Sequence, residues 1–171
     1  TIGNYQAVNM IANFRQRYPL SRVSLQVANT ANIAAQVAGF ELDVGMIEGE
    51  HSHPDLDIQH WREDELVVFA APDHALANVS LLTDKDLVHL PWIVREPGSG
   101  TRQAFERAMH GILPDPHIEL ELQHTEAIKR AVESGLGVSC LSGIALQDAF
   151  SRGSLVPLSG PHRDFCREWY I

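Results

Sequence analysis

The segment Trp92-Ile93-Val94-Arg95-Glu96-Pro97-Gly98-Ser99-Gly100-Thr101-Arg102 concentrates residue types that hold small charged molecules. It runs from an apolar stretch through a glycine-rich loop into a helix pattern. Gly98 and Gly100 let the main chain come close to a ligand. Ser99 and Thr101 add hydroxyls, and Arg95 and Arg102 lie alongside. It is not a nucleotide-hydrolase phosphate loop, because the Lys-Ser/Thr ending is absent, and it lacks the three-glycine spacing of a dinucleotide fingerprint. Taken alone, it fits an anion cradle and a tight turn equally well. Glu48 ends the run Gly45-Met46-Ile47-Glu48, and Glu96 follows the second apolar run. Each fits a solvated loop acid, or a group that hydrogen-bonds a protonated ligand and discriminates against fully charged anions.

Other chemistries find less support. Ser139 and Ser142 lie in Gly137-Val138-Ser139-Cys140-Leu141-Ser142-Gly143, which lacks the Gly-x-Ser-x-Gly elbow. Cys140 sits in an apolar strand pattern and reads as a buried structural thiol. With Cys166 it makes neither a disulfide framework nor a metal-ligand spacing. His51, His53, His60 and His74, with Asp55, Asp57 and Asp73, could suggest a metal site, but His51-Ser52-His53-Pro54-Asp55 reads instead as a solvated loop without a recognised ligand spacing. No catalytic residue, metal or cofactor is expected.

These residues must be positioned by alternating strands and helices. Strand patterns fall at Val23–Val27, Asp43–Ile47, Glu65–Ala70, Trp92–Val94, Ile118–Leu122, Val138–Leu141, Leu155–Leu158 and Cys166–Ile171. Helix patterns begin at Ile2 (to Tyr18), at Asn29 or Thr30, at Ser99 or Thr101, at Thr125 and at Ser142. The last four have hydroxyl or amide starters and glycine stops at Gly39, Gly111, Gly135 and Gly153. The alternation predicts βαβ units and a mostly parallel sheet. In such sheets ligands bind beyond the carboxyl ends of the strands, where helix N-termini gather. Sharp turns after Ala70 and around Ser159–His162 predict two lobes crossed near 70 and 162. The chain starts in a helix pattern and ends in a strand pattern, so it is expected to be a piece of a longer protein.

The 171 residues carry a formal charge of −9, from 13 Lys plus Arg and 22 Asp plus Glu. That balance opposes binding of DNA, RNA or an anionic membrane by this chain's own surface. At 44% apolar and 20% charged residues, the composition is that of a folded globular chain. No run is long enough to span a bilayer, Thr1–Tyr5 does not resemble a signal peptide, and the two cysteines read as free thiols of a cytoplasmic protein.

The order of Thr1-Ile2-Gly3-Asn4-Tyr5, Phe14–Pro19, Leu42–Gly49, Asp64–His74, Trp92–Arg102, Glu126–Lys129 and Gly135–Ser142 resembles the effector-binding domain of LysR-type transcriptional regulators. It resembles most the branch of CysB and YeiE, which is tied to sulfur-compound sensing. The resemblance covers nearly the whole chain. It implies an α/β fold of two Rossmann-like lobes joined by two crossover strands, like a type 2 periplasmic binding protein. The lobes would comprise residues 1–70 with 163–171, and residues 71–162, with the effector between them. The implied effector contacts are Thr1 at the first helix, Asn29 and Thr30 at the second, Ser99, Gly100 and Thr101 in the loop, and His124 and Thr125 at the next helix. Glu48 would close the polar wall, with Glu96 posing the same question opposite. Residues upstream of Thr1 would also be expected in the site. The implied partners are a small anionic effector, sulfite or another sulfur oxyanion, and further copies of the chain in a dimer or tetramer. Operator DNA would be reached only through an N-terminal helix-turn-helix that this sequence does not contain, and RNA polymerase is a further implied partner. The rival readings are an extracytoplasmic solute-binding protein and an enzyme on the same fold.

Overall fold

The computed structural model describes residues 1–112, 115–160 and 163–171. In chain order the elements are α1 (Ile2–Tyr5), α2 (Ala7–Arg17), α3 (Thr30–Ala38), β1 (Ile47–Glu48), β2 (His60–Ala70), α4 (Asp84–His89), β3 (Trp92–Arg95), α5 (Gly100–Met109), β4 (Ile118–Leu122), α6 (Thr125–Glu133), β5 (Ser139–Ser142), α7 (Gly143–Arg152), β6 (Val156–Pro157) and β7 (Cys166–Tyr170).

The eleven-residue strand β2 is the spine. Over His60–Glu65 it pairs antiparallel with β7, whose other edge carries β1. Over Leu66–Phe69 it pairs antiparallel with β5, and Phe69 and Ala70 also face β6. β2 changes partner at Glu65–Leu66, from β7 to β5. The expected crossing near 162 lies outside the described residues.

Period-two alternation explains the larger half. Leu66, Val68 and Ala70 of β2, Trp92 and Val94 of β3, and Cys140 of β5 point to one face, where Ala104, Phe105, Ala108 and Met109 of α5 cover them together with Leu87. Phe69, Ile93 and Leu141 point to the other face, against Ile128 and Val132 of α6 and Leu146 and Ala149 of α7. The sheet is therefore covered on both sides. Trp92 is fully buried, its indole N–H donates to the Leu87 carbonyl at 2.8 Å, and its ring centroid lies 5.0 Å from that of Phe105.

Several expectations are corrected. The sheet is not mostly parallel: β3 with β4 is the parallel strand pair, joined to β5 by a parallel bridge between Trp92 and Val138. The long strands β2 and β7 return through the molecule and impose antiparallel partners. Val23–Val27 forms no ladder among the described residues, and Val23, Leu25 and Val27 are exposed. β-Branched composition favours a pleated surface, but a neighbouring backbone must complete it. Only Ile47 of Asp43–Ile47 is paired. The helix expected over Ile2–Tyr18 breaks at Gln6, whose φ of −121° leaves the helical range. Gly111, Gly135 and Gly153 take positive φ as helix stops do, but Gly39 does not; Phe40 does so in its place. The unforeseen α4 is signed by a capping box, in which Thr83 and Asp86 exchange side-chain and main-chain bonds.

Replacing Trp92 by Ala empties a site with no room to relax between α4, α5 and the sheet. The expected loss is about 3–5 kcal/mol in urea unfolding, and a loss below about 1 kcal/mol would contradict this packing.

Candidate functional site

Three helices begin at one end of the larger half. Ser99 caps α5 by accepting from the Thr101 N–H at 3.2 Å, His124 precedes α6, and Ser142 caps α7 by accepting from Ile144 at 3.3 Å. Strands β3, β4 and β5 end just before these starts, as the sequence pattern requires. The fourth expected start, α3, is capped by Asn29, whose Oδ1 accepts from Asn32 at 3.0 Å, but no strand precedes it.

The centre of the cluster is a residue that sequence reasoning did not single out. Arg167 of β7 is 2% exposed, and its guanidinium is fully engaged. Nε donates to Asp64 Oδ2 at 2.8 Å, and Nη2 reaches the same oxygen at 2.7 Å and Thr1 Oγ1 at 2.9 Å. Nη1 reaches Glu48 Oε2 at 2.7 Å and Thr101 Oγ1 at 2.8 Å. Asp64 Oδ1 accepts from Ser142 Oγ at 2.7 Å. One cation thus gathers residues from α1, β1, β2, α5 and β5. The only available signal was an arginine at an inward position of a strand, which period-two alternation pairs with Trp169.

Glu48 is not the free acceptor that either reading of it required. Its Oε1 accepts from the Ile2 N–H at 2.7 Å and from the Thr1 main-chain nitrogen, while Oε2 faces Arg167. Burial pushes its carboxyl up, but in this 171-residue chain the Arg167 guanidinium, helped by the amino group with which the chain starts, holds the group down at about 2. Thr30 fastens this carboxylate's own main chain, donating to the Glu48 carbonyl at 2.7 Å. Glu96 is likewise occupied. It accepts from Arg95 Nε at 2.8 Å and from Asn29 Nδ2 at 3.2 Å. Burial raises its pKa, and these donors, Arg95 first, bring it below the ordinary value.

Gly100 sits directly against the Glu48–Gly49 main chain; a Cβ there would fall 1.5 Å from the Glu48 carbonyl oxygen. The glycine is therefore required by close approach between the halves. The Ala31 N–H donates to the Gly98 carbonyl at 3.2 Å, and Gln103 Nε2 to the Glu50 carbonyl at 3.1 Å. Tyr5 of α1 donates to Glu126 of α6, which also accepts from the buried Lys129 at 3.0 Å.

Of the expected residues, the structure brings Thr1, Glu48, Gly100 and Thr101 together around Arg167, with Ser99 one turn of loop away. Asn29 and Glu96 form a second contact, and Thr30 supports Glu48. Thr125 is 6% exposed, and its hydroxyl has no hydrogen-bond partner among the described residues. The His124 side chain stands exposed. Among the described residues no three His, Cys, Asp or Glu side chains gather as metal ligands, and no helix is long and apolar enough to cross a membrane. Cys140 is buried, and burial pushes its thiol up to about 12, which makes it a poor nucleophile.

Two α/β halves meeting over buried hydroxyls and helix starts define a two-lobed ligand-sensing domain of the type 2 periplasmic-binding-protein fold. The match to the LysR substrate binding domain spans residues 1–171, and the chain belongs to that family. It is 41% identical to the HTH-type transcriptional regulator YeiE of Escherichia coli (strain K12) over 161 residues, which is 94% of this chain and 55% of YeiE. It is 35% identical over 171 residues to the HTH-type transcriptional activator CmpR of Synechocystis, covering all of this chain and 56% of CmpR. The regulatory domain of Synechocystis CcmR, solved in complex with 2-PG, superposes with a TM-score of 0.85 at 33% identity, over 99% of this chain and 82% of that one. The chain spans about half the length of the curated relatives it matches, which are transcriptional regulators.

The depressed Glu48 carboxyl fixes a pH dependence. Its stabilising contribution is present above the ordinary carboxylate value of 4.5 and is lost as the pH falls towards about 2. Wild type and Glu48→Gln should differ by about 3 kcal/mol in urea unfolding near neutral pH, with the gap closing through that acid window. A gap independent of pH would show that Glu48 is not held as a carboxylate.

Proposed function

We propose that this chain is the small-molecule-sensing regulatory domain of a bacterial LysR-type transcription factor, and that its effector is a small oxyanion bound between the lobes. The lobes are residues 1–70 with 163–171, and residues 71–162. The observation that carries the reading is the set of buried hydroxyls at the starts of α5 and α6. Ser99, Thr101 and Thr125 are 5%, 3% and 6% exposed, and none has an acceptor for its own proton among the described residues. Free main-chain N–H groups and the positive ends of two helix dipoles accompany them. Gly100 lets the opposite lobe approach, Thr1 adds a hydroxyl, and His124 stands at the rim. Asn29, Thr30, Glu48 and Glu96 hold the walls in place.

The 2-PG complex of the CcmR domain supports an anionic effector for a relative of this sequence. Within that class the proposed effector is sulfite or another sulfur oxyanion, in keeping with the resemblance to the YeiE branch. Binding biases two arrangements of the lobes or of neighbouring subunits, and this requires different affinity for the two. The domain works in a cytoplasmic dimer or tetramer. Operator DNA, and any contact with RNA polymerase, belong to the intact protein through its helix-turn-helix domain.

Calorimetric titration with sulfite, sulfate, thiosulfate and small carboxylates tests the reading, with heat expected from at least one. Ser99→Ala and Thr101→Ala should each weaken that binding roughly tenfold, the value of one hydrogen bond to a charged group. Silence with every anion would overturn the oxyanion effector, and unchanged affinity in both variants would remove the loop from the site.

A further inference from the structure

We propose that Arg167 is the specificity-determining positioning residue of this site: it neither leaves a donor for the effector nor supplies net positive charge, but sets the polarity of the hydroxyls that do bind. This rests on the oxyanion reading above and sharpens it to a class. The site takes oxyanions whose oxygens only accept hydrogen bonds, and it disfavours those that must donate a proton.

The guanidinium is fully buried, and each of its nitrogens is engaged: Nε donates to Asp64, Nη1 to Thr101 with Glu48 beside it, and Nη2 to Thr1 with Asp64 beside it. Its charge is answered by two carboxylates, so Arg167, Asp64 and Glu48 together carry one formal negative charge. A free cation would attract any anion indiscriminately, and that is not what these residues offer.

Each hydroxyl oxygen that accepts from Arg167 is polarised. Its own proton becomes a stronger donor, and its remaining lone pair a weaker acceptor. Thr1 and Thr101 are both in this condition. Ser99 is turned the same way by the Thr101 N–H. The unpaired main-chain groups at the starts of α5 and α6 are N–H donors as well. The strong acceptors nearby are committed elsewhere: Glu48 to Ile2, Thr1 and Arg167, and Asp64 to Ser142 and Arg167. An effector oxygen that carries a proton therefore meets donors, and its own donor goes unpaired on burial.

Sulfate and inorganic phosphate make the comparison, being close in size and shape. Near neutral pH sulfate has no proton to donate, whereas phosphate carries at least one. Calorimetry on the 171-residue chain should show sulfate binding at least about tenfold more tightly than phosphate, the cost of one unpaired buried donor. In Arg167→Lys that ratio should fall towards one, while a merely structural role would weaken both anions alike and leave it unchanged. Should Arg167→Lys fail to fold by circular dichroism, Thr101→Val tests the same point by removing one hydroxyl that Arg167 polarises, with Asp64, Glu48 and Thr1 left in place. It removes one donor and should cost sulfate about tenfold while costing phosphate less. Equal affinity for the two anions in wild type, tighter phosphate, or a ratio unmoved in the folded variant would overturn this inference and leave the oxyanion reading standing. Absence of binding by both of these and by every other anion tested would overturn the reading together with the inference.

Discussion

A single buried guanidinium holds the two halves in register. Arg167 stands on β7, takes Asp64 from the neighbouring β2, and reaches outward to Glu48 and Thr1 on one side and Thr101 on the other. A buried ion is costly to desolvate, and its partners return that cost only with good geometry and complete hydrogen bonding. Here every guanidinium nitrogen has a partner oxygen at 2.7–2.9 Å. The arrangement is better understood as a means of specifying geometry than as a source of net stability. Any other placement of β1, α1 or α5 leaves a charge or a donor stranded in the interior.

Several other contacts between the halves are of a different kind. Asn29 with Glu96, Ala31 with Gly98 and Gln103 with Glu50 are single hydrogen bonds at partly exposed positions. Each contributes on the order of 1 kcal/mol or less. The apposition of Gly100 on Glu48 is steric and needs only the absence of a side chain. A set of weak contacts around one strong pin suits a domain whose halves must shift by an amount that a ligand can drive, since effector couplings are typically about 1–3 kcal/mol.

Much of this was legible in the sequence, for identifiable reasons. Strand β3, loop and α5 announced themselves because Trp92–Val94 is continuous and apolar and Ser99 is a preferred cap, both local signals. Asn29 and Ser142 were legible for the same reason, as was the pairing of hydroxyl starters with strand ends. Pair contacts across long sequence distance were not. Arg167 lies 103 residues from Asp64, and although alternation sets it on the same face as Trp169, nothing in Cys-Arg-Glu-Trp-Tyr-Ile names its partners. Glu48 was found as a position, but its state depends on partners that only the fold supplies. The parallel sheet failed similarly. Alternation of strands and helices fixes which elements exist, whereas the direction of β2 against β7 is decided by where the chain returns after Arg163.

The net charge of −9 and an anion site are compatible because they act at different distances. Surface carboxylates are screened over about 8–10 Å at physiological salt. Inside that range the balance is set by Arg167, Asp64, Glu48 and the helix starts. That inner set has no excess of positive charge, because Asp64 and Glu48 answer the cations beside them, so attraction cannot come from net charge. It comes from oriented dipoles: hydroxyls polarised by Arg167, and main-chain N–H groups whose carbonyl ends point down their helices. Dipoles of this kind bind by direction and distance. They reward a compact ion that presents several acceptors to several fixed donors, and give little to a diffuse or badly shaped one. Selectivity in such a site follows from how the donors are aimed, and the aiming is done by a residue the effector need not touch.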